Sequence, residues 1–292
     1  MKIFRKLVYI FVLLIILTVL IGIKVHFQKQ KVETGDLIET SWEWVNNQEK
    51  FYQGTSQEIN LLLSELQQRF PNQDERMKAL VTLREDTPYR LGCLGEESGR
   101  DQDPVFRIDV TDCTAFVLTT VALLHSHDLQ EARDMMRFLN YQPDQKISFG
   151  NRLHFTTDRN SVSPYFYDAT EEMAGSDKIM QKQIILNKIQ ENGDRLININ
   201  WQKETIIKYV PNKYITVDFF SQLPQVIGVA FVGNSDENIG LDVRHEGILI
   251  DGENLYHASS VKQKVVGENF FDYYFDANKL PRFNGILFFG VE

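Results

Sequence analysis

Cysteine is almost absent from this chain: 292 residues hold two, Cys93 and Cys113. A disulfide framework is therefore excluded as the scaffold, since a core of this size needs no staple and one bridge would consume both thiols. No Cys-x-x-Cys pair and no H-E-x-x-H occurs, so zinc lacks its usual ligand spacing. His125 and His127 flank Ser126 and read as surface residues at a helix end. No metal or other cofactor is expected. A G-x-S-x-G elbow is also missing, which removes the commonest serine-hydrolase signature. Basic excess is missing too: net charge is -9 and the pI is about 5.3, against what phosphate binding requires, so nucleic acid is not an expected partner. No internal repeat or low-complexity tract interrupts the chain.

What remains is ordinary globular composition, 43% hydrophobic and 24% charged, enough for a packed core. Residues 7–23 form one uncharged apolar run behind Lys2, Arg5 and Lys6. As a helix it spans roughly 25 Å, just short of a ~30 Å hydrocarbon core. It lacks an Ala-x-Ala cleavage pattern, and no lipid-accepting cysteine follows. These features favour a single-pass signal-anchor in the inner (cytoplasmic) membrane over the alternative, a cleaved signal peptide. Residues 1–6 would stay cytoplasmic, 24–54 would form a polar stalk, and 55–292 would be a periplasmic domain.

Thr55-Ser56-Gln57-Glu58 has capping-box spacing and predicts a helix over 55–70, ended by Pro71. Further amphipathic helices are expected over 74–85, 128–139 and 176–190. Between Cys113 and Leu124 the chain is apolar on nearly every side, as in a helix buried mid-domain. The last third changes to short runs of Val, Ile, Phe and Tyr, at 226–232, 247–250, 254–257 and 285–291. Helices first and strands later predict an α+β fold, helices packed on an antiparallel sheet or partial barrel.

Cys113 opens the buried helix. A helix N-terminus supplies unpaired N–H groups and a positive dipole end, both of which favour thiolate. Asp112 is placed to cap that helix, and the Cys113 N–H could face an oxyanion. Downstream, His245 and His257 bracket a hairpin that turns at Asp251-Gly252. A two-residue loop there would put them on opposite faces. A three-residue loop of Ile250, Asp251 and Gly252 would set His245 directly opposite His257 on one face. Cys113 would then be nucleophile, His245 its base, and His257 the group that orients His245.

Three stretches carry a family resemblance: Asp112-Cys113-Thr114-Ala115-Phe116, His245-Glu246-Gly247-Ile248, and His257-Ala258-Ser259-Ser260. Together they resemble the NlpC-type cell-wall hydrolases of the papain-like fold. The closer likeness is to an N-acetylmuramoyl-L-alanine amidase-like branch, domain of unknown function 1460. Thr87-Pro88-Tyr89, Leu94-Gly95-Glu96, Arg152-Leu153-His154-Phe155-Thr156-Thr157-Asp158 and Gly240-Leu241-Asp242-Val243 add to it. The resemblance covers about residues 75–292. It implies hydrolysis of an amide in peptidoglycan or muropeptides, with Tyr89, Asp112, Arg152, His154 and Ser259 toward the substrate. The bond implied joins muramic acid to L-alanine. A γ-D-glutamyl-diaminopimelate endopeptidase, an acyltransferase, and a non-catalytic wall-binding module are the alternatives. Glu246 stands where the family usually has an apolar residue, Arg159 where an aromatic is common, and the usual Gly-Asp is missing near Pro224-Gln225.

Overall fold

The computed structural model describes residues 40–95, 106–233 and 239–292. The expected anchor at 7–23 lies outside them. Among the described residues no helix is long and apolar enough to cross a membrane. The chain divides into a unit ending at Gln48 and a second unit over Glu49–Glu292. In the first, residues 40–46 are helical. In the second, a 3-10 turn at Phe51–Gln53 buries Phe51. Phe51 belongs to the buried core of that second unit.

Helix α1 (Ser56–Arg69) starts at the expected capping box, with Thr55 and Glu58 satisfying each other's backbone N–H groups. Helix α2 (Gln73–Arg84) is capped by Asn72. Helix α3 (Cys113–Leu124) is buried at every residue from Ala115 onward. Its neighbours explain why no polar face is needed: α2 and α4 (Leu129–Asn140, capped by Asp128) pack against it, and the sheet covers the rest. Helix α5 (Thr156–Val162) has no cap from its own N-cap residue, Phe155. Asp242 supplies it from elsewhere, accepting from Thr157 N (2.6 Å) and Oγ1 (2.8 Å).

Among the described residues eight strands form one antiparallel sheet: β1 (Phe166–Asp168), β2 (Met180–Leu186), β3 (Lys203–Pro211), β4 (Val226–Val232), β5 (His245–Ile250), β6 (Asn254–Ser259), β7 (Lys264–Asn269) and β8 (Gly285–Val291). Their order is β2-β3-β8-β4-β5-β6-β7, with β1 pairing the far end of β8. One face carries Val229, Phe231, Leu249, Leu255, Ile286 and Phe288, joined by Phe220 and Phe270 from the short helices α7 (Val217–Phe220) and α8 (Phe270–Tyr274). The helix expected over 176–190 is instead a 3-10 turn followed by β2, paired along its length with β3. Ser176-Asp177 imitates a helix cap, but the burial of Ile184 and Leu186, two residues apart, follows a strand period.

Candidate active site

Asp112 fixes the start of α3. One carboxylate oxygen accepts from Ala115 N (2.8 Å) and the other from Gly92 N (3.0 Å). The cap therefore also holds the 92–93 loop against the helix start. Beside it, Tyr89 runs parallel to Thr111 through a backbone bridge, with Arg90 N donating to Thr111 O (2.8 Å). Burial, with the negative charges of Cys113 and Asp112, pushes the Tyr89 phenol up to about 12. Tyr89 thus lies beside Asp112 and Cys113.

Helix α3, which Cys113 opens, packs against β5 and β6. The helix N-terminus does not produce a low thiol pKa. Burial, then the Asp112 and Glu246 carboxylates, push it up to about 12. Neither cysteine is in a disulfide among the described residues, and Cys93 is buried.

The hairpin differs by two residues from the register expected. Asp251 and Gly252 both take positive φ (52° and 67°), and Glu253 N donates to Ile250 O. Glu253 is an extra residue after this tight turn, so Ile250 pairs with Asn254 and Leu249 with Leu255. The parity still puts both histidines on one face, but on a diagonal instead of directly opposite. Gly247 makes the diagonal workable. A Cβ there would lie 2.6 Å from Tyr256 O and 3.0 Å from His257 Cβ.

His245 Nε2 and His257 Nδ1 are 2.7 Å apart. His257 Nε2 is 2.8 Å from Glu268 Oε1, and Glu268 Oε2 accepts from Lys262 Nζ at 3.0 Å. The ionised carboxylate can only accept, which assigns the tautomers in turn. His257 carries its proton on Nε2 and accepts at Nδ1. His245 then carries its proton on Nε2, which leaves Nδ1 with a free lone pair. Burial, reinforced by His257, holds the His245 imidazolium form off until about pH 3. Tyr273 packs on both rings, 5.7 Å from His245 and 4.6 Å from His257, and Phe231 stacks on His245. Burial raises the Tyr273 phenol well above its ordinary value, and the charges of Cys113 and Glu268 add to this.

Sequence reasoning missed Glu268 and Tyr273. The signal for Glu268 was the alternation of Val266 and Glu268 on β7, opposite His257 and Leu255, which becomes visible only once β7 is recognised as a strand. Arg152 is buried and donates to Leu94 O (2.7 Å) between the rings of Tyr141 and Phe149. His154 Nε2 lies 2.7 Å from Phe149 O. Ser259 Oγ accepts from Lys262 N and so serves the β6–β7 turn. Among the described residues no group of three or more His, Cys, Asp or Glu could hold a metal ion.

Two of the three departures from the expected family pattern meet each other. Arg159 Nη1 and Nη2 bind Glu246 Oε1 (3.0 Å) and Oε2 (2.7 Å), with both side chains 1% exposed. Arg159 also lies over Phe166 and Phe289. Glu246 adjoins His245 on β5 but points to the other face, so this pair locks α5 to the back of that strand.

A Legionella pneumophila protein of the family-model DUF1460 superposes with TM-score 0.64 at 22% identity, covering 80% of this chain and 95% of its own. An N-acetylmuramoyl-L-alanine amidase from Bacteroides uniformis gives TM-score 0.60 at 21% identity, covering 75% and 99%. These likenesses establish a shared fold. No curated protein matches the chain. The family model described as AmiA-like, N-acetylmuramoyl-L-alanine amidase-like, matches residues 82–280. With more than half its length matched, the chain belongs to that AmiA-like, N-acetylmuramoyl-L-alanine amidase-like family.

Proposed function

We propose that this protein is a cysteine amidase of papain-like, NlpC-type architecture that cleaves peptidoglycan or its muropeptides between muramic acid and L-alanine. The observation that carries this reading is the hydrogen-bonded chain His245–His257–Glu268, set on strands that abut the helix opened by Cys113. Family membership supports the substrate class.

The chemistry follows from the protonation states. Thiol and imidazole are both neutral at rest, since burial disfavours either charge. Proton transfer from Cys113 Sγ to His245 Nδ1 therefore accompanies attack of sulfur on the lactyl carbonyl. The Cys113 backbone N–H, free at the helix start, faces the developing oxyanion. His245 returns the proton to the alanine nitrogen as the C–N bond breaks, leaving a thioester. Water then attacks the thioester carbonyl while His245 takes its proton, and the thiol leaves with that proton. His257 and Glu268 hold the imidazole in the required tautomer throughout. The 7–23 run would hold the enzyme at the membrane, with the domain outside the cytoplasm.

Cys113→Ala tests the reading. Peptide release from a defined muropeptide, followed by mass spectrometry, should fall at least about 10³-fold while the thermal transition stays in place. Retained turnover would sink the nucleophile assignment. Product masses separate the muramoyl–alanine bond from a γ-D-glutamyl bond, and acylated amines would reveal acyl transfer.

A further inference from the structure

The bond between the two imidazoles leaves one freedom open. His245 Nε2 and His257 Nδ1 are 2.7 Å apart, yet the two rings stand at 84° to each other. An N–H···N hydrogen bond fixes the line between two nitrogens and not the rotation about it. His245 Nδ1 lies off that line, so turning the ring swings its lone pair away from any one proton donor. Two aromatic rings limit the turn. Phe231 stacks on His245 at 5.8 Å and 26°, and Tyr273 leans on it at 5.7 Å and 43°. Tyr273 also meets His257 at 4.6 Å and 55°. Among the described residues it is the one aromatic side chain in contact with both imidazoles.

We propose that Tyr273 is a positioning residue of the relay: its ring sets the angle of the two imidazoles and lies against the positive charge that His245 gains on taking the Cys113 proton. The inference rests on the cysteine amidase reading and assigns a residue that acts through the general base.

The local sequence places this ring. Asn269, next after Glu268, ends β7 and caps α8, its Oδ1 accepting from Phe271 N (2.9 Å) and Asp272 N (3.3 Å). Phe270 and Tyr274, one turn apart, are both fully buried and fix the helix on the core. Residue 273 lies at the edge of that side, half-buried. The strand that brings Glu268 to His257 thus also launches the helix that brings Tyr273 to both rings. Phe231 (5.2 Å) and Phe283 (5.9 Å) hold the Tyr273 ring in turn, so its orientation is set before substrate arrives.

The need for such a ring follows from the burial of the base. His245 stays neutral at rest, and its imidazolium is held off until about pH 3. Attack by Cys113 nevertheless creates that imidazolium, and the relay carboxylate, Glu268, reaches it only through His257. An aromatic ring attracts a cation within about 6 Å and a neutral imidazole far less. The attraction is therefore stronger in the transition state than at rest, which raises kcat and leaves KM alone.

The test uses the full chain, with a defined muropeptide as substrate and iodoacetamide as a probe of Cys113 that needs no substrate. Tyr273→Leu should lower kcat about tenfold with KM within about twofold of wild type. It should slow alkylation of Cys113, read by mass spectrometry, to a similar extent. Tyr273→Phe keeps the ring and should recover most of both rates. Fluorinated phenylalanines at residue 273 keep the shape while weakening the negative ring face, so kcat and alkylation should fall stepwise with each added fluorine. A purely structural role produces no such gradient, and the series decides the matter even if Tyr273→Leu does not fold. A flat fluorine series overturns the proposal, as does a folded Tyr273→Leu protein with wild-type rates. Equal losses in Tyr273→Phe and Tyr273→Leu would assign the work to the hydroxyl and overturn it too. If wild type cleaves no muropeptide, the amidase reading fails by itself, and the alkylation rates still decide the role of Tyr273.

Discussion

Glu268 ends the relay in the structure, and its charge decides where the protons sit. Hydrogen bonds from His257 and then from Lys262 pull its carboxyl down to about 2, against burial. It stays ionised at any working pH and can only accept. Glu268→Leu removes the acceptor, frees His257 to adopt either tautomer, and should cut kcat about 10- to 100-fold, a fraction of what a general base contributes. Glu268→Gln keeps an acceptor oxygen and should lose far less. Nitrogen NMR of the two imidazoles gives an independent readout, since the Leu variant should mix tautomers that wild type keeps pure. A pH signature goes with it. The native carboxyl binds fewer protons than the unfolded one between about 2 and 4.5, so its stabilising contribution is complete above 4.5 and lost as pH falls through 2. Chemical denaturation should show a shallower acid loss in Glu268→Leu than in wild type. A matching slope in the two proteins would mean that the hydrogen bond to His257 is not maintained in solution.

Between α5 and β5, one buried ion pair replaces what a hydrophobic contact would otherwise do. Breaking such a pair strands a charge and should cost about 3–5 kcal/mol for Arg159→Met or Glu246→Leu alone. The double variant should recover to within about 1 kcal/mol of wild type, because two apolar side chains can fill the same space. Urea unfolding of all four proteins measures this coupling directly. Equal losses that simply add would dismiss the idea that α5 is fastened to β5 by this pair. The pair also marks how far the sequence could be read. Helices with local signals were legible: Thr55 with Glu58, and Asp112, cap where the sequence placed them, and the helix expected over 128–139 forms at Leu129–Asn140. The face shared by His245 and His257 was legible from strand parity. The 176–190 segment was not, because the partner that makes it a strand lies beyond a long loop. Arg159 and Glu246 looked like two unrelated departures, since nothing local links residues 87 positions apart. Glu268 needed the β6–β7 register, which the turn after Ser259 conceals.

The sheet is closed late in the chain. β8, residues Gly285–Val291, is the last strand in sequence, yet it lies between β3 and β4 and also pairs with β1. Its Phe288 exchanges hydrogen bonds with Thr170 Oγ1 from α6 (Thr170–Ala174), 118 residues earlier. A chain ending at Asn284 should therefore show no cooperative thermal transition and no near-ultraviolet signal from packed aromatics. A native-like transition would mean that β4 and β3 can close up without the missing strand. For the cell this order of assembly acts as a safeguard. A ribosome-bound polypeptide has made Cys113, His245 and His257 before β8, the strand that steadies their sheet, so under the proposed function hydrolytic power arrives only once Gly285–Val291 has emerged and paired.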